Sequence, residues 1–438
     1  MNNQRLSAYW MPFTSNQAFK AEPRMLTRAQ GHYYWSENGR KLYDSFSGLW
    51  TSGLGHCHPK IVEAVQSQVA ELDYAMAFQV GHPKAFELAE RLVAMAPDNI
   101  ANAFFVNSGS EAADTALKIA LAFFRAKGEA TRTRFVGRAR GYHGTNFGGI
   151  SVGGMAPNRK VFSPCLIPGV DHLPHTLNLS ENAFSKGLPK WGAHLADELE
   201  NICALHDPSN IAAVIVEPAP GSTGILPPPI GYLKRLREIC TRHGILLIFD
   251  EVINAFGRVG ASFAAQRFGV VPDMITTAKG ITNGVIPMGA VLVSEEIHNA
   301  IVQGPPHLIE MFHGYTYSGH PVASAAGLAT LDTYSEEGSF AEARSLEPVF
   351  EQAIHSLAEH PNVIDVRNVG LMGAVELAPH KDGPGARGLE VHKKCFWDED
   401  LVVRNGADIL QFSPFLNSKP DDILRTFEKV GRVLKQVA

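Results

Sequence analysis

Short apolar runs alternate with amphipathic stretches through the middle of the chain. Ala103 to Val106 reads as a buried strand. Glu111 to Arg125 follows as a helix, because Ala112, Ala113, Ala116, Leu117, Ala120 and Leu121 recur at three-to-four spacing. Ser108 and Glu111 have the spacing of a capping box. Ala212 to Val216 is a second strand. Tyr232 to His243 is a helix with Leu233, Leu236, Ile239 and Cys240 on one face, and Gly244 stands where a left-handed residue ends a helix. Ile245 to Phe249 and Met288 to Val293 are further strands. These strands lack alternating polarity and are separated by helices. The pattern predicts an α/β fold whose mostly parallel sheet is covered on both faces. Ligands bind beyond the carboxyl ends of the strands in such sheets. The residues just after each apolar run are therefore the first candidates for a site.

The pattern changes at both ends of the chain. Residues 1 to about 60 are rich in aromatic residues and turns. From about residue 325, helical segments flank Val363 to Val366 and Met372 to Leu377, which read as strands of a smaller sheet. The expected organisation is a large domain over residues 61–324 and a smaller α+β domain over 325–438. Residues 1–60 contribute to the smaller one.

Composition narrows the function classes. A chain of 438 residues has ample core for two or three folded units. The net charge of -5, from 39 basic and 44 acidic side chains without a basic block, argues against nucleic acid and anionic membrane as partners. Cys57, Cys165, Cys203, Cys240 and Cys395 are scattered with no CxxC pair, so neither a disulfide framework nor a zinc site is expected. A reduced, cytoplasmic compartment fits this usage. Met1 to Trp10 has no apolar stretch of signal-peptide length, and the longest apolar runs are too short to span a bilayer.

Three stretches carry candidate chemistry. Asn107-Ser108-Gly109-Ser110-Glu111 places small residues at a strand-to-helix turn. It is either an ordinary helix cap or an anion site made of free backbone N–H groups. Asp250-Glu251 ends the third apolar run. A shielded carboxylate there needs a partner, which is a structural cation, a metal or a cationic ring. No His or Asp stands beside it with metal-ligand spacing, so metal is the weakest of the three. Lys279 lies in Thr276-Thr277-Ala278-Lys279-Gly280, among small and apolar residues. It is a candidate for a desolvated, nucleophilic amine. The loops Arg140-Gly141-Tyr142-His143-Gly144 and His313 to Pro321 are aromatic and turn-rich. His143, His313 and His320 do not form a metal set by spacing.

Taken together, these pieces resemble the class III aminotransferases, pyridoxal-phosphate enzymes of fold type I. The resemblance covers nearly the whole chain. Its most specific stretch is Leu247-Ile248-Phe249-Asp250-Glu251-Val252, then Gly257-Arg258, Pro272-Asp273 and Ala278-Lys279-Gly280, which match the family's cofactor-lysine signature in order and spacing. Within the family, the chain is most similar to the omega-amino acid:pyruvate (beta-alanine:pyruvate) aminotransferases. That likeness is carried by Gly48 to Thr51, Arg138 to Gly144, Asp171 to Thr176, Asn182 to Pro189 and His313 to Ser318.

The resemblance implies roles residue by residue. Lys279 would link covalently to pyridoxal 5'-phosphate. Asp250 would pair with its ring nitrogen, Val252 and Tyr142 would cover its two faces, and Glu217 would sit near the ring hydroxyl. Gly109 and Ser110 would bind the phosphate, and Thr316 of a neighbouring subunit would bind it too. The site would then need a homodimer, with a tetramer of two dimers left open. Arg404 would hold the substrate carboxylate and Trp50 would line the pocket. No metal is implied. One departure is Asn254-Ala255, where the family usually has Thr-Gly or a similar small pair.

Two further positions concern the acceptor. Relatives that use 2-oxoglutarate often carry Arg where this chain has Thr145, and tend to carry Glu where it has Ser222. Both differences argue for a monocarboxylate such as pyruvate. The cofactor constellation is also shared by aminomutases and decarboxylating relatives, which remain the alternative reading. A non-catalytic descendant of the fold is a third, against which an intact Lys279 and Asp250 weigh. The amino donor is open among beta-alanine, gamma-aminobutyrate, taurine, diamines and aryl-alkyl amines.

Overall fold

The computed structural model describes residues 3–437, with side chains from residue 6. A seven-stranded central sheet is built from β4 (Ile100–Val106), β5 (Arg134–Arg138), β6 (Val170–Leu173), β7 (Ile211–Val216), β8 (Leu246–Asp250), β9 (Met274–Thr277) and β10 (Gly289–Ser294). The N-terminal region supplies β1 (Leu26–Gln30), β2 (Tyr33–Ser36) and β3 (Lys41–Asp44). The C-terminal region supplies β11 (Val363–Val369), β12 (Met372–Leu377), β13 (Leu401–Val402), β14 (Arg404–Gly406) and β15 (Ile409–Phe412).

Strand order in the central sheet is β4-β10-β9-β8-β7-β5-β6. β5 to β9 pair in parallel, whereas β10 runs antiparallel between β9 and β4. The connection from β9 to β10 is short. A parallel return needs a crossover of roughly a dozen or more residues, usually with a helix, so this strand reverses instead. β4 lies at the sheet edge. Its Ala103, Phe104 and Phe105 are therefore partly exposed, where the sequence suggested a buried strand.

Helices cover both faces because the strands are apolar on both. α1 (Gly109–Ala126) packs Ala112, Ala116, Leu117, Ala120 and Phe123 against Ile248, Met274 and Val291. α2 (Tyr232–His243) packs Leu236, Ile239 and Cys240 against the opposite face, which carries Leu247, Phe249 and Ile275. Successive residues of one strand thus serve opposite layers. Leu121, counted in the apolar stripe of α1, points to solvent instead. Gly244 ends α2 in the left-handed conformation (φ 64°) that a glycine adopts without strain.

The two smaller sheets draw the chain ends together. β13 adds in parallel to β3, with Leu401 opposite Tyr43 and Val402 opposite Asp44, completing the order β1-β2-β3-β13. The other sheet has the order β11-β12-β15-β14. β14 follows β13 after one residue, so the Arg404 strand starts beside the N-terminal segment. Among the described residues, no helix is long and apolar enough to cross a membrane, and no group of three or more His, Cys, Asp or Glu could hold a metal.

Candidate active site

The carboxyl ends of β4, β5, β7, β8 and β9 open onto a cavity. Gly109, Ser110, Tyr142, Glu217, Asp250, Val252 and Lys279 line it, together with His143 and Asn254. Each comes from the first residues after a strand or from the last residue of one. Strand direction thus brings together side chains far apart in sequence.

Asp250 is the last residue of β8 and is buried. Its Oδ2 lies 2.7 Å from His143 Nδ1, and its Oδ1 accepts from the Val252 N–H at 3.1 Å. His143 is buried, and among the described residues its Nε2 has no hydrogen-bond partner. Spacing along the chain marks His143 only as a poor metal ligand. The signal for its true place is its position in a glycine-flanked loop after a strand end. Glu217, buried after β7, accepts from the Tyr142 N–H at 2.9 Å and the Gly221 N–H at 3.2 Å. Burial raises its pKa, and His143 opposes that rise.

Lys279 follows β9 and projects its amine into this acidic cavity. Its φ of +47° is a conformation that ordinary L-residues adopt only under strain, a feature found at functional sites. Burial lowers its pKa to about 8, with Asp250 and Glu217 pulling the other way and Arg404 adding to the fall. The side chain is partly accessible, and the accessible space is the cavity. An amine with this pKa is neutral often enough near pH 7 to serve as nucleophile or base.

One end of the cavity is the start of α1. Ser108 Oγ accepts from the Glu111 N–H at 3.2 Å. The Glu111 carboxylate reaches back to the Asn107 N–H at 2.7 Å, one residue before the partner expected of a capping box. Both capping groups act below the cavity, and Gly109 and Ser110 face into it. Close packing enforces the small residues. A Cβ on Gly109 would lie 2.9 Å from Val252 Cγ1. One on Gly144 (φ +89°) would lie 2.5 Å from Ser110 Cα. Ser110 Oγ also accepts from the Thr145 N–H at 3.1 Å. Asn254 makes a reciprocal pair with the Ala219 backbone, at 2.9 Å in each direction, and so fixes the segment after Glu217.

Three predicted residues lie outside that lining. Arg404 stands at the start of β14, with its guanidinium carbon 5.2 Å from the Trp50 ring centre and 5.8 Å from that of Phe46. Burial lowers its pKa. Among the described residues, no carboxylate lies within ion-pair distance of it. Trp50 is buried with a positive φ of 58°, and its indole N–H has no partner among the described residues. Thr316 is exposed, and its carbonyl accepts from Tyr74 Oη at 3.0 Å.

These features fit pyridoxal phosphate on chemical grounds. A helix N-terminus with bare amides suits a dianion, a buried carboxylate suits a ring cation, an aromatic and a branched side chain suit ring faces, and a low-pKa amine suits an aldehyde. A family model for class III aminotransferases matches residues 14–434. The chain belongs to the class III aminotransferases, pyridoxal-phosphate enzymes of fold type I.

Similar proteins narrow the comparison. The omega-aminotransferase of Caulobacter vibrioides is 57% identical over 99% of this chain and 98% of its own. The beta-alanine–pyruvate aminotransferase of Pseudomonas aeruginosa is 49% identical over 99% of this chain and 96% of its own. A thermostable omega transaminase mutant from Pseudomonas jessenii superposes with a TM-score of 0.92 at 29% identity, covering 100% of this chain and 98% of the other.

Proposed function

We propose that the protein transfers the amino group of an omega-amino acid or amine, such as beta-alanine, to pyruvate, giving alanine and an aldehyde or ketone. The observation that carries this reading is Arg404. It is half-buried, lies over aromatic rings and has no carboxylate partner among the described residues, and the two positions where 2-oxoglutarate users tend to carry a charge are Thr145 and Ser222. One carboxylate of a small acceptor satisfies such a cation. A second carboxylate would be left without a partner in a dry cavity, which is costly. The names of the similar proteins in Caulobacter and Pseudomonas support the same substrate class.

Pyridoxal phosphate supplies the electron sink that makes a carbon–hydrogen bond next to nitrogen acidic. The chain's own residues do the rest. Asp250, held by His143 and the Val252 N–H, keeps an anion where the ring nitrogen is to stay protonated. Gly109 and Ser110 offer N–H groups and a hydroxyl to the phosphate. Tyr142 and Val252 fix the ring plane and exclude water from its faces. Once its amine is free, Lys279 Nζ takes the proton from the substrate carbon and returns it elsewhere. Arg404 and Trp50 place that carbon within reach.

Thr316 is read as acting across a subunit boundary, so the working unit is a homodimer. Its exposure on the surface, away from its own cavity, supports this. So do Tyr74, Met76, Phe78, Val80, Phe86 and Phe312, which are exposed and apolar around the same region. The division into residues 61–324 and a smaller unit formed by 1–60 and 325–438 belongs to the same proposal.

The test is amino-group transfer from beta-alanine to each acceptor, read as alanine from pyruvate and as glutamate from 2-oxoglutarate. Pyruvate should exceed 2-oxoglutarate by about 100-fold or more in kcat/KM, the scale of one uncompensated charge. Equal use of both acceptors would overturn the specificity argument. Turnover of the donor without any keto acid would point to an isomerase or lyase.

A further inference from the structure

Arg404 does not stand alone. Its cross-strand neighbour in the β14–β15 pair is Gln411, in direct register. Directly opposed residues of an antiparallel pair place their side chains on the same face. Gln411 is fully buried. Its Oε1 accepts from Arg404 Nε at 3.2 Å, and its Nε2 faces the Ser222 carbonyl at 3.4 Å. That carbonyl can only accept, so the amide nitrogen must face it and the amide oxygen must face Arg404. A Cβ on Gly406 would lie 3.1 Å from Gln411 Nε2, so the bare glycine leaves the amide its room.

We propose that Gln411 is the positioning residue that presents Arg404 to the acceptor carboxylate. The proposal rests on the reading of Arg404 as the carboxylate site. Gln411 occupies Nε–H alone. Among the described residues, Nη1 and Nη2 have no acceptor, so the end-on fork of the guanidinium stays open. A neutral amide holds the group without cancelling its charge. A glutamate at this position would pair with Arg404 and hide it. The hold is a single bond to a neutral acceptor, which an uncharged amine donor can displace. Gln411 thereby does two things. It sets the charge available to pyruvate, and it leaves Arg404 free to move when the donor has no carboxylate.

The test uses cofactor-loaded enzyme and two readouts. The first is the dissociation constant for propionate, a non-reacting monocarboxylate, by calorimetry. The second is single-turnover spectroscopy of the pyruvate and 1-phenylethylamine half-reactions taken separately. Gln411→Glu should weaken propionate and raise the pyruvate concentration for half-maximal rate by about 10-fold or more, because a charged partner competes with the substrate. Gln411→Leu should do so by about 3-fold, because only a neutral hydrogen bond is lost. Both should leave the amine half-reaction within about twofold. In an Arg404→Ala background, Gln411→Glu should cause no further loss, since the cation it hides is gone. If Arg404→Ala damages the pyruvate half-reaction and neither Gln411 variant does, the positioning role is wrong. If both half-reactions fall together, Gln411 is structural and the proposal is overturned. If Arg404→Ala itself spares pyruvate, the carboxylate reading fails first. Should the buried Glu prevent folding, Gln411→Leu alone decides.

Discussion

In the proposed mechanism Lys279 and Asp250 divide the chemical work, one as an amine and the other as an anion. Lys279 is desolvated, and its pKa falls to about 8. Below that pH the amine is protonated and cannot attack an aldehyde. Capture of pyridoxal phosphate by cofactor-stripped protein should therefore accelerate as pH rises and level off above about 8. A profile still rising beyond about pH 10 would mean an ordinary solvated lysine. The proposal has Asp250 act as an anion. Asp250→Asn should retain cofactor yet lose about 100-fold or more in kcat, since each unit of pKa lost on the ring nitrogen is worth about 1.4 kcal/mol. Near-parental turnover would show that another acid does this work. In the sequence Asp250 stands out because it ends an apolar run, and Lys279 because small and apolar residues surround it. His143 does not. Its partner, Asp250, lies 2.7 Å away in space but far off in sequence, and only strand order brings the two loops together.

At the level of elements, the turn from β4 into α1 shows how close packing shapes the cavity. Ser108 caps the helix and Glu111 ties down Asn107, which leaves the amides of Gly109 and Ser110 facing the cavity. Ser108→Ala should cost about 1 kcal/mol of stability, the usual worth of a cap, readable by chemical denaturation. Gly144→Ala acts differently. The new methyl would meet the Ser110 backbone from a left-handed position, so cofactor retention should fall by at least about 10-fold while the protein stays folded. Unchanged retention would mean that the Ser110 amide takes no part in holding phosphate. α1 and α2 were readable from periodicity, and β7 and β8 as apolar runs. β5, β6 and β9 were not. β6 and β9 have only four residues each, and β5 and β6 mix charged residues with apolar ones, so burial by neighbouring layers decides them. The reversal of β10 left no periodic trace, because a buried strand looks the same in either direction.

For the molecule as a whole, the fold gathers three distant regions at one site. β13 joins β3, which sets Trp50 and Phe46 beside Arg404. The proposed dimer would add Thr316 from a second copy. Lys279→Ala chains mixed with chains carrying a disabled Thr316 loop should form heterodimers with one whole site. A random equal mixture should then recover about a quarter of wild-type activity, because half the dimers are mixed and each has one good site of two. No rescue in verified heterodimers would show that each chain completes its own site. The proposal of this arrangement rests on family likeness. Neither charge pattern nor periodicity marks a residue that works in another subunit.

Lys279 is held here to be the one lysine that carries the cofactor, and every other role in the site depends on it. Borohydride reduction of the purified holoenzyme, followed by peptide mapping with mass spectrometry, reads this directly. The expected result is a reduced pyridoxyl adduct on the peptide containing Ala278-Lys279-Gly280 and on no other. An adduct on a different lysine, or none on a yellow protein, would contradict it.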